Sequence, residues 1–154
     1  MTFAAEGLLT RRLAQAQLGQ LSVYPSNAGA AGPVTSPNTD WGLGAFATLI
    51  PAGTISFPFY IAGLRAYDNI AAQTGAHEIE LYYGASDVNF GNWKFFLDPA
   101  NGILFDTNEI RMGQPGGDPI PGGSQVRAKI AYSLGLTVGV SAVLFDLYYK
   151  QVLG

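Results

Sequence analysis

The stretch His77-Glu-Ile-Glu-Leu-Tyr-Tyr83 has the clearest pattern in the chain and decides how the rest is interpreted. Glu78 and Glu80 stand at alternate positions. Ile79 and Leu81 take the positions next to them. Because side chains on a β-strand point alternately to its two faces, this period of two predicts a strand with one apolar face toward a core and one charged face toward water.

Short segments with strand-like composition continue on both sides of this stretch, and segments rich in Pro and Gly separate them. Pro58 cannot donate a hydrogen bond to a neighbouring strand, so its segment is expected to be bulged or at a sheet edge. Eight or nine short strands without a later helix predict an all-β fold, an antiparallel β-sandwich or a barrel. The predicted strands are 44–50, 55–67, 77–83, 93–97, 103–105, 109–112, 125–134 and 136–151.

The N-terminal part of the chain has a different character. Residues 2–20 have helical spacing at Leu9 and Leu13, and an isolated helix of this length needs a surface to lie on. Residues 25–40 are rich in Pro, Ala, Gly and turn residues, which indicates a linker. We therefore predict an arm and linker over 1–38, helical or extended, and a sandwich domain over 39–154. The arm packs either on its own domain or on a neighbouring subunit.

The composition points to a protein that contacts other chains. Charged residues make up 12% of the 154 residues and hydrophobic residues 48%, whereas about 25% is a typical charged share. A solitary domain would be expected to show more charge on its surface. The net charge of −3 and the scattered Lys and Arg residues argue against nucleic acid as a partner. The weakly charged stretch 130–145 is too short for a membrane span.

The last predicted strand is apolar on both faces, so both faces should be covered. Either it is a central strand that lies beneath the N-terminal segment, or it is buried against another subunit. We take Leu9, Leu13, Val143, Phe145, Leu147 and Tyr149 as the predicted subunit or partner interface. Asp146 interrupts the apolar run and needs an Arg or a backbone donor as its partner, because an unpaired buried carboxylate is costly.

The residues that usually carry catalysis or bind metals are sparse. The chain has no Cys and a single His, which argues against a zinc site. His77 is therefore interpreted as a surface or strand-end residue. Asp87 and Asn89 have the alternate spacing of calcium ligands, with Asn92 and Asp98 nearby, but nothing completes the set. No serine lies in a nucleophile-elbow context. The sequence predicts a non-enzymatic protein without a metal or cofactor.

The segments TDWGLGAFATLIPAGTISFPFYIAGLRAYD (39–68), EIELYYGAS (78–86), LDPANGILF (97–105) and GGSQVRAKIAYSLGLTVGVSAVLFDLYYK (122–150) occur in this order. Together they resemble jelly-roll structural proteins of tailed-bacteriophage virions, most of all small head decoration (cement) proteins. The resemblance covers roughly residues 39–150 and is a pattern of strands and turns. It implies a jelly-roll-like β-sandwich that forms a homotrimer or another symmetric assembly, is made in the host cytoplasm, and binds the major capsid protein or other virion proteins on the outside of the head. A neck, tail or head-fibre component fits the same pattern.

Two further classes of protein use such a scaffold. A carbohydrate-binding module would use Trp41, Trp93 and surface tyrosines as stacking platforms. A cupin-like enzyme would need several histidines around a metal, and this chain has one.

Overall fold

The computed structural model describes residues 18–25, 32–67, 72–98, 110–111 and 118–152. These residues form β-strands connected by turns, with one short helix. The elements in chain order are β1 Leu18–Tyr24, β2 Val34–Thr35, β3 Ala47–Ile50, β4 Phe59–Tyr67, β5 Gly75–Tyr83, β6 Val88–Leu97, β7 Ile110–Arg111, β8 Val126–Tyr132, α1 Gly135–Val138 and β9 Ala142–Val152.

The strands form two antiparallel sheets that pack against each other. Sheet one has the order β1-β9-β4-β7, and β2 also pairs with β9; sheet two has the order β3-β8-β5-β6. If the short β2 is set aside, the first strand pairs with the last, the second with the seventh, the third with the sixth and the fourth with the fifth. This folded-over pairing is the jelly-roll topology. The predicted fold class is confirmed.

The core lies between the two sheets and follows the alternation seen in the sequence. On β5, Ile79 and Leu81 are fully buried, while Glu78 and Glu80 remain partly exposed on the outer face of sheet two. On β8, Val126, Ala128 and Ile130 are fully buried as well. Side chains from both sheets form one cluster of buried apolar residues, as expected of a β-sandwich.

The N-terminal prediction needs correction where the structure describes it. Residues 18–20, which the sequence placed at the end of a helix, belong to β1 and pair with β9. Part of the predicted linker forms β2, and Val34 within it is fully buried. β1 and β2 come before residue 38 and pair with β9 in sheet one. The predicted boundary after residue 38 therefore does not separate an arm from the sandwich. The predicted helix over residues 2–17, including Leu9 and Leu13, and the predicted strand 103–105 lie outside the described residues.

Several strand boundaries also differ from the prediction, and β6 begins five residues early, at Val88 and not at Trp93. The last strand begins at Ala142 and not at Leu136, because residues 135–138 form the single helical turn α1. The Leu-Gly-Leu-Thr-Val-Gly-Val sequence over 134–140 has the period of a strand, but its amides bond locally, from Val138 to Leu134 and from Gly139 to Gly135. β4 begins after Pro58, and its register shift lies between Ile61 and Gly63.

Candidate interaction surface

The predicted interface residues on the last strand are buried within the single chain. Val143, Phe145 and Leu147 are at most 1% exposed and face the core, and Tyr149 packs against that core. β9 has β4 on one side and β1 and β2 on the other, so it is a central strand. The alternative interpretation, a strand covered within its own domain, is therefore the one that the structure supports. Val143, Phe145 and Leu147 therefore offer no surface for a subunit interface, whereas Tyr149 is partly exposed.

Asp146 lies on the outer face of the same strand. It is 4% exposed, and its Oδ2 accepts a hydrogen bond of 2.8 Å from Nη2 of Arg65 on β4. The expectation that Asp146 needs an Arg or a backbone donor is confirmed. Leu144, Tyr148 and Lys150, which share this face, are partly exposed, so the described part of the outer face of sheet one combines apolar side chains with charged ones.

Exposed apolar side chains gather at one end of the sandwich. They lie on the segment that leads into β3 and on the connection between β8 and β9. We call this group the end patch. Its members are Trp41 (43% exposed), Leu43 (42%), Leu134 (43%), Leu136 (69%), Val138 (48%) and Val140 (46%). Such side chains are usual when scattered singly, but a cluster of them in a soluble protein marks an interaction surface.

The two segments that carry the end patch are held together by hydrogen bonds and a close backbone contact. The Trp41 amide donates to the Tyr132 carbonyl oxygen at 2.8 Å, and the Leu136 amide donates to Oδ1 of Asp40 at 2.8 Å. Gly135 is buried against Thr39 so closely that a Cβ atom there would lie 2.7 Å from the Thr39 nitrogen and carbonyl carbon. The sequence folds this way because only glycine leaves room for the crossing backbone.

We expect Gly135→Ala to destabilise the protein by about 1–3 kcal/mol, because the added methyl group must push the backbone at Thr39 aside. Gly32→Ala is the matched control, since a Cβ at Gly32 meets no atom within 4 Å. Urea denaturation of both variants measures the difference. Equal stability of the two variants would contradict the close packing of the two segments.

A buried polar network lies beneath the connection between β8 and β9, and His77 is its centre. The ring is fully buried and stacks on Tyr132, where the connection begins, with ring centroids 4.7 Å apart. Its Nε2 lies 2.9 Å from Oγ of Ser141, where the connection ends. The interpretation of His77 as a surface residue is therefore wrong. His77 has the same strand parity as Ile79 and Leu81, and this signal in the sequence places it on the core face.

Hydrogen bonds fix the tautomer of His77. Nδ1 lies 2.9 Å from the Gly75 carbonyl oxygen, which can only accept, so Nδ1 carries the proton and Nε2 accepts from the Ser141 hydroxyl. Ser141 Oγ in turn accepts from the Gln73 amide. Burial lowers the pKa of His77 from 6.5 to about 4, although the bond to Gly75 opposes this shift. The ring is therefore neutral at pH 7.

The contact between Ser141 and His77 has the atoms of a nucleophile and a base, but its surroundings differ from those of a catalytic triad. Ser141 is 0% exposed, so its Oγ is closed to a substrate. Nδ1 of His77 faces a backbone carbonyl and not a carboxylate. What this arrangement does is hold both ends of the connection between β8 and β9, which carries most of the end patch.

The outer face of sheet two carries paired charges. Lys94 lies 3.6 Å from Glu78, and Arg127 donates to both carboxylate oxygens of Asp87. The Arg127 guanidinium also lies 4.4 Å from the centre of the Phe46 ring. This is a wet sheet face on which oppositely charged neighbours oppose each other across strands.

The residues considered for calcium binding or for sugar stacking are not assembled into a site. Asp87 pairs with Arg127, Asn89 and Asn92 are exposed on β6, and the described residues contain no His, Cys, Asp and Glu cluster fit for a metal ion. Trp93 packs against the core, whereas Trp41 is half-exposed beneath Lys94, whose Nζ lies 4.9 Å from its ring.

The sequence does contain a signal for the end patch. No charged residue occurs from Trp41 to Leu64 or from Ala131 to Phe145, and the two patch segments lie within these stretches. No helix in the described ranges is long and apolar enough to cross a membrane. Comparison of the chain with protein-family models, with curated proteins and with solved structures found no match.

Proposed function

We propose that this chain is a non-enzymatic structural protein of a tailed-bacteriophage virion. Its role would be that of a decoration protein, which binds the outside of the head and stabilises it through contacts between subunits. The end patch carries the proposal. Exposure of six large apolar side chains to water, with no charge among them, is unfavourable, so a partner protein that covers them is the better explanation. The jelly-roll topology supports it by analogy, since this fold is frequent in capsid proteins.

The physical requirements of such a role agree with features of this chain. A decoration protein needs no catalytic cleft, and it gains affinity when many copies bind a symmetric shell, because each contact raises the effective concentration for the next. The buried ring of His77 and the glycine at 135 hold the patch segments in place, so little ordering entropy is lost on association. A neck, tail or head-fibre component would use the same surface in the same way.

A carbohydrate-binding module is the second candidate, and the half-exposed Trp41 favours it. The other tryptophan proposed for stacking, Trp93, packs against the core, so Trp41 alone of the two tryptophans is placed as a platform. Binding of this protein to a glycan array, lost in Trp41→Ala, would favour the module over the virion protein.

Quantitative mass spectrometry of purified phage particles tests the proposal. Particles from a culture whose phage encodes this chain should contain it in a fixed ratio to the major capsid protein. The ratio should survive a density gradient, and particles without the chain should lose integrity at lower temperature or salt. Recovery of the chain only in the soluble fraction of the lysate, with none on intact particles, would contradict the virion role.

A further inference from the structure

We propose that the end patch is the contact surface between copies of this chain, so that the protein assembles with itself through the β8–β9 connection and the segment before β3. This inference rests on the assembly role proposed above and names the partner as a second copy of the chain. Three properties of the described residues indicate that the partner which covers the patch is a second copy of the chain.

The first property is its size. A standard interface covers about 800 Å² on each partner, and roughly 60% of that area is apolar, which makes an apolar part on the order of 500 Å². Six large apolar side chains with exposed fractions between 42% and 69% provide apolar surface of that order. The patch is therefore large enough to form the centre of one stable contact without help from another element.

The second property is the distribution of charge around the patch. The connection from Ser133 to Ser141 contains no charged residue, so two copies can bring these segments together without like-charge repulsion. The rim carries charges of both signs: Asp40 is exposed beside Leu136, and Lys94, whose side chain is 70% exposed, lies above Trp41 and 3.6 Å from Glu78. In a self-complementary contact the cation of one copy can approach the anion of the other. A partner with a strongly charged surface would instead be expected to contact a rim whose residues all carry the opposite charge.

The third property is rigidity. Both ends of the β8–β9 connection are fixed, at Tyr132 by stacking with His77 and at Ser141 by four hydrogen bonds with His77, Gln73 and Ser36. A surface that is already ordered in the free chain loses less entropy when it binds. The end patch is thus prepared for a contact in which the same ordered segments meet from both sides.

Sedimentation velocity of the purified full chain, over protein concentrations from about 1 to 100 μM, tests the inference against the mass of 16.3 kDa for one chain. We expect the wild-type protein to sediment as an oligomer at the upper concentrations. Val138→Asp should raise the dissociation constant at least ten-fold, since the contact would have to bury a new carboxylate in each copy.

Val88→Asp is the matched control. Val88 has the same side chain and nearly the same exposure as Val138, 47% against 48%, but it begins β6 at the opposite end of the sandwich. It should leave the dissociation constant within a factor of two. Near-ultraviolet circular dichroism confirms that both variants are folded, as expected for exposed positions.

A wild-type protein that stays at the mass of one chain throughout would overturn the inference, as would a Val138→Asp variant that associates like the wild type. The virion proposal is tested separately by the particle composition. A single chain in solution that is nevertheless found on particles would leave the virion role intact and give the end patch to another virion protein. An oligomer that is absent from particles would support self-association through the end patch and contradict the virion role.

Discussion

Phe145→Ala is expected to lower the free energy of unfolding by about 3–5 kcal/mol while leaving self-association unchanged at concentrations where the protein is folded. Phe145 is 1% exposed, and its ring meets that of Phe95 edge to face at 5.9 Å between the two sheets. Removing the ring leaves a cavity that the neighbouring strands cannot close, since β9 is fixed by partners on both edges.

Urea denaturation measures this change, and Phe57→Ala provides the control. Phe57 is 54% exposed, so its truncation should cost less than about 1 kcal/mol. A Phe145→Ala variant with wild-type stability but weakened self-association would show that the last strand is a subunit interface after all. It would also contradict the central position of β9.

The second large effect is a loss of stability in acid that depends on His77. Its pKa is lowered from 6.5 to about 4 in the folded protein, so between these values the unfolded chain binds the proton more readily than the folded chain. The stabilisation is therefore complete above pH 6.5 and is lost as the pH falls toward 4. With about 1.4 kcal/mol for each pKa unit, the loss contributed by His77 reaches up to about 3 kcal/mol.

Denaturation of the wild type and of His77→Gln at several pH values between 4 and 7 isolates this contribution, because His77 is the chain's single histidine. Glutamine keeps a donor and an acceptor but does not titrate. We expect His77→Gln to be less stable than the wild type at pH 7 and to lose less stability on acidification. Parallel stability curves for the two proteins across this range would show that the ring is not held neutral in the folded state.

The sequence predicts the sandwich well because alternation is a local property. Where one strand face is buried and the other is wet, as on β5 with Ile79 and Glu80, the period of two appears directly in the residues. The same rule fails at Leu136 and Val138, which alternate with small residues although they belong to a helical turn. There the conformation is decided by a distant contact, Gly135 against Thr39, which has no local signature.

The interface prediction for Val143, Phe145 and Leu147 fails for a related reason. A strand that is apolar on both faces must be covered, but the sequence does not say whether its own chain or another supplies the cover. Val143 and Leu147 are covered by sheet two, as the strand order shows. The residues that remain uncovered, such as Leu136, belong to a loop whose exposure depends on how β8 and β9 are joined at the sandwich end. That arrangement follows from pairing between residues far apart in the chain.

Amide hydrogen exchange at two protein concentrations tests most directly whether this sandwich assembles through its end patch. Association through the end patch predicts that amides in 134–140 exchange more slowly at about 100 μM than at about 1 μM. Amides in 142–152 should exchange slowly at both, because their strand is central in the single chain. Exchange over 134–140 that is independent of concentration, with new protection confined to 142–152, would contradict association through the end patch.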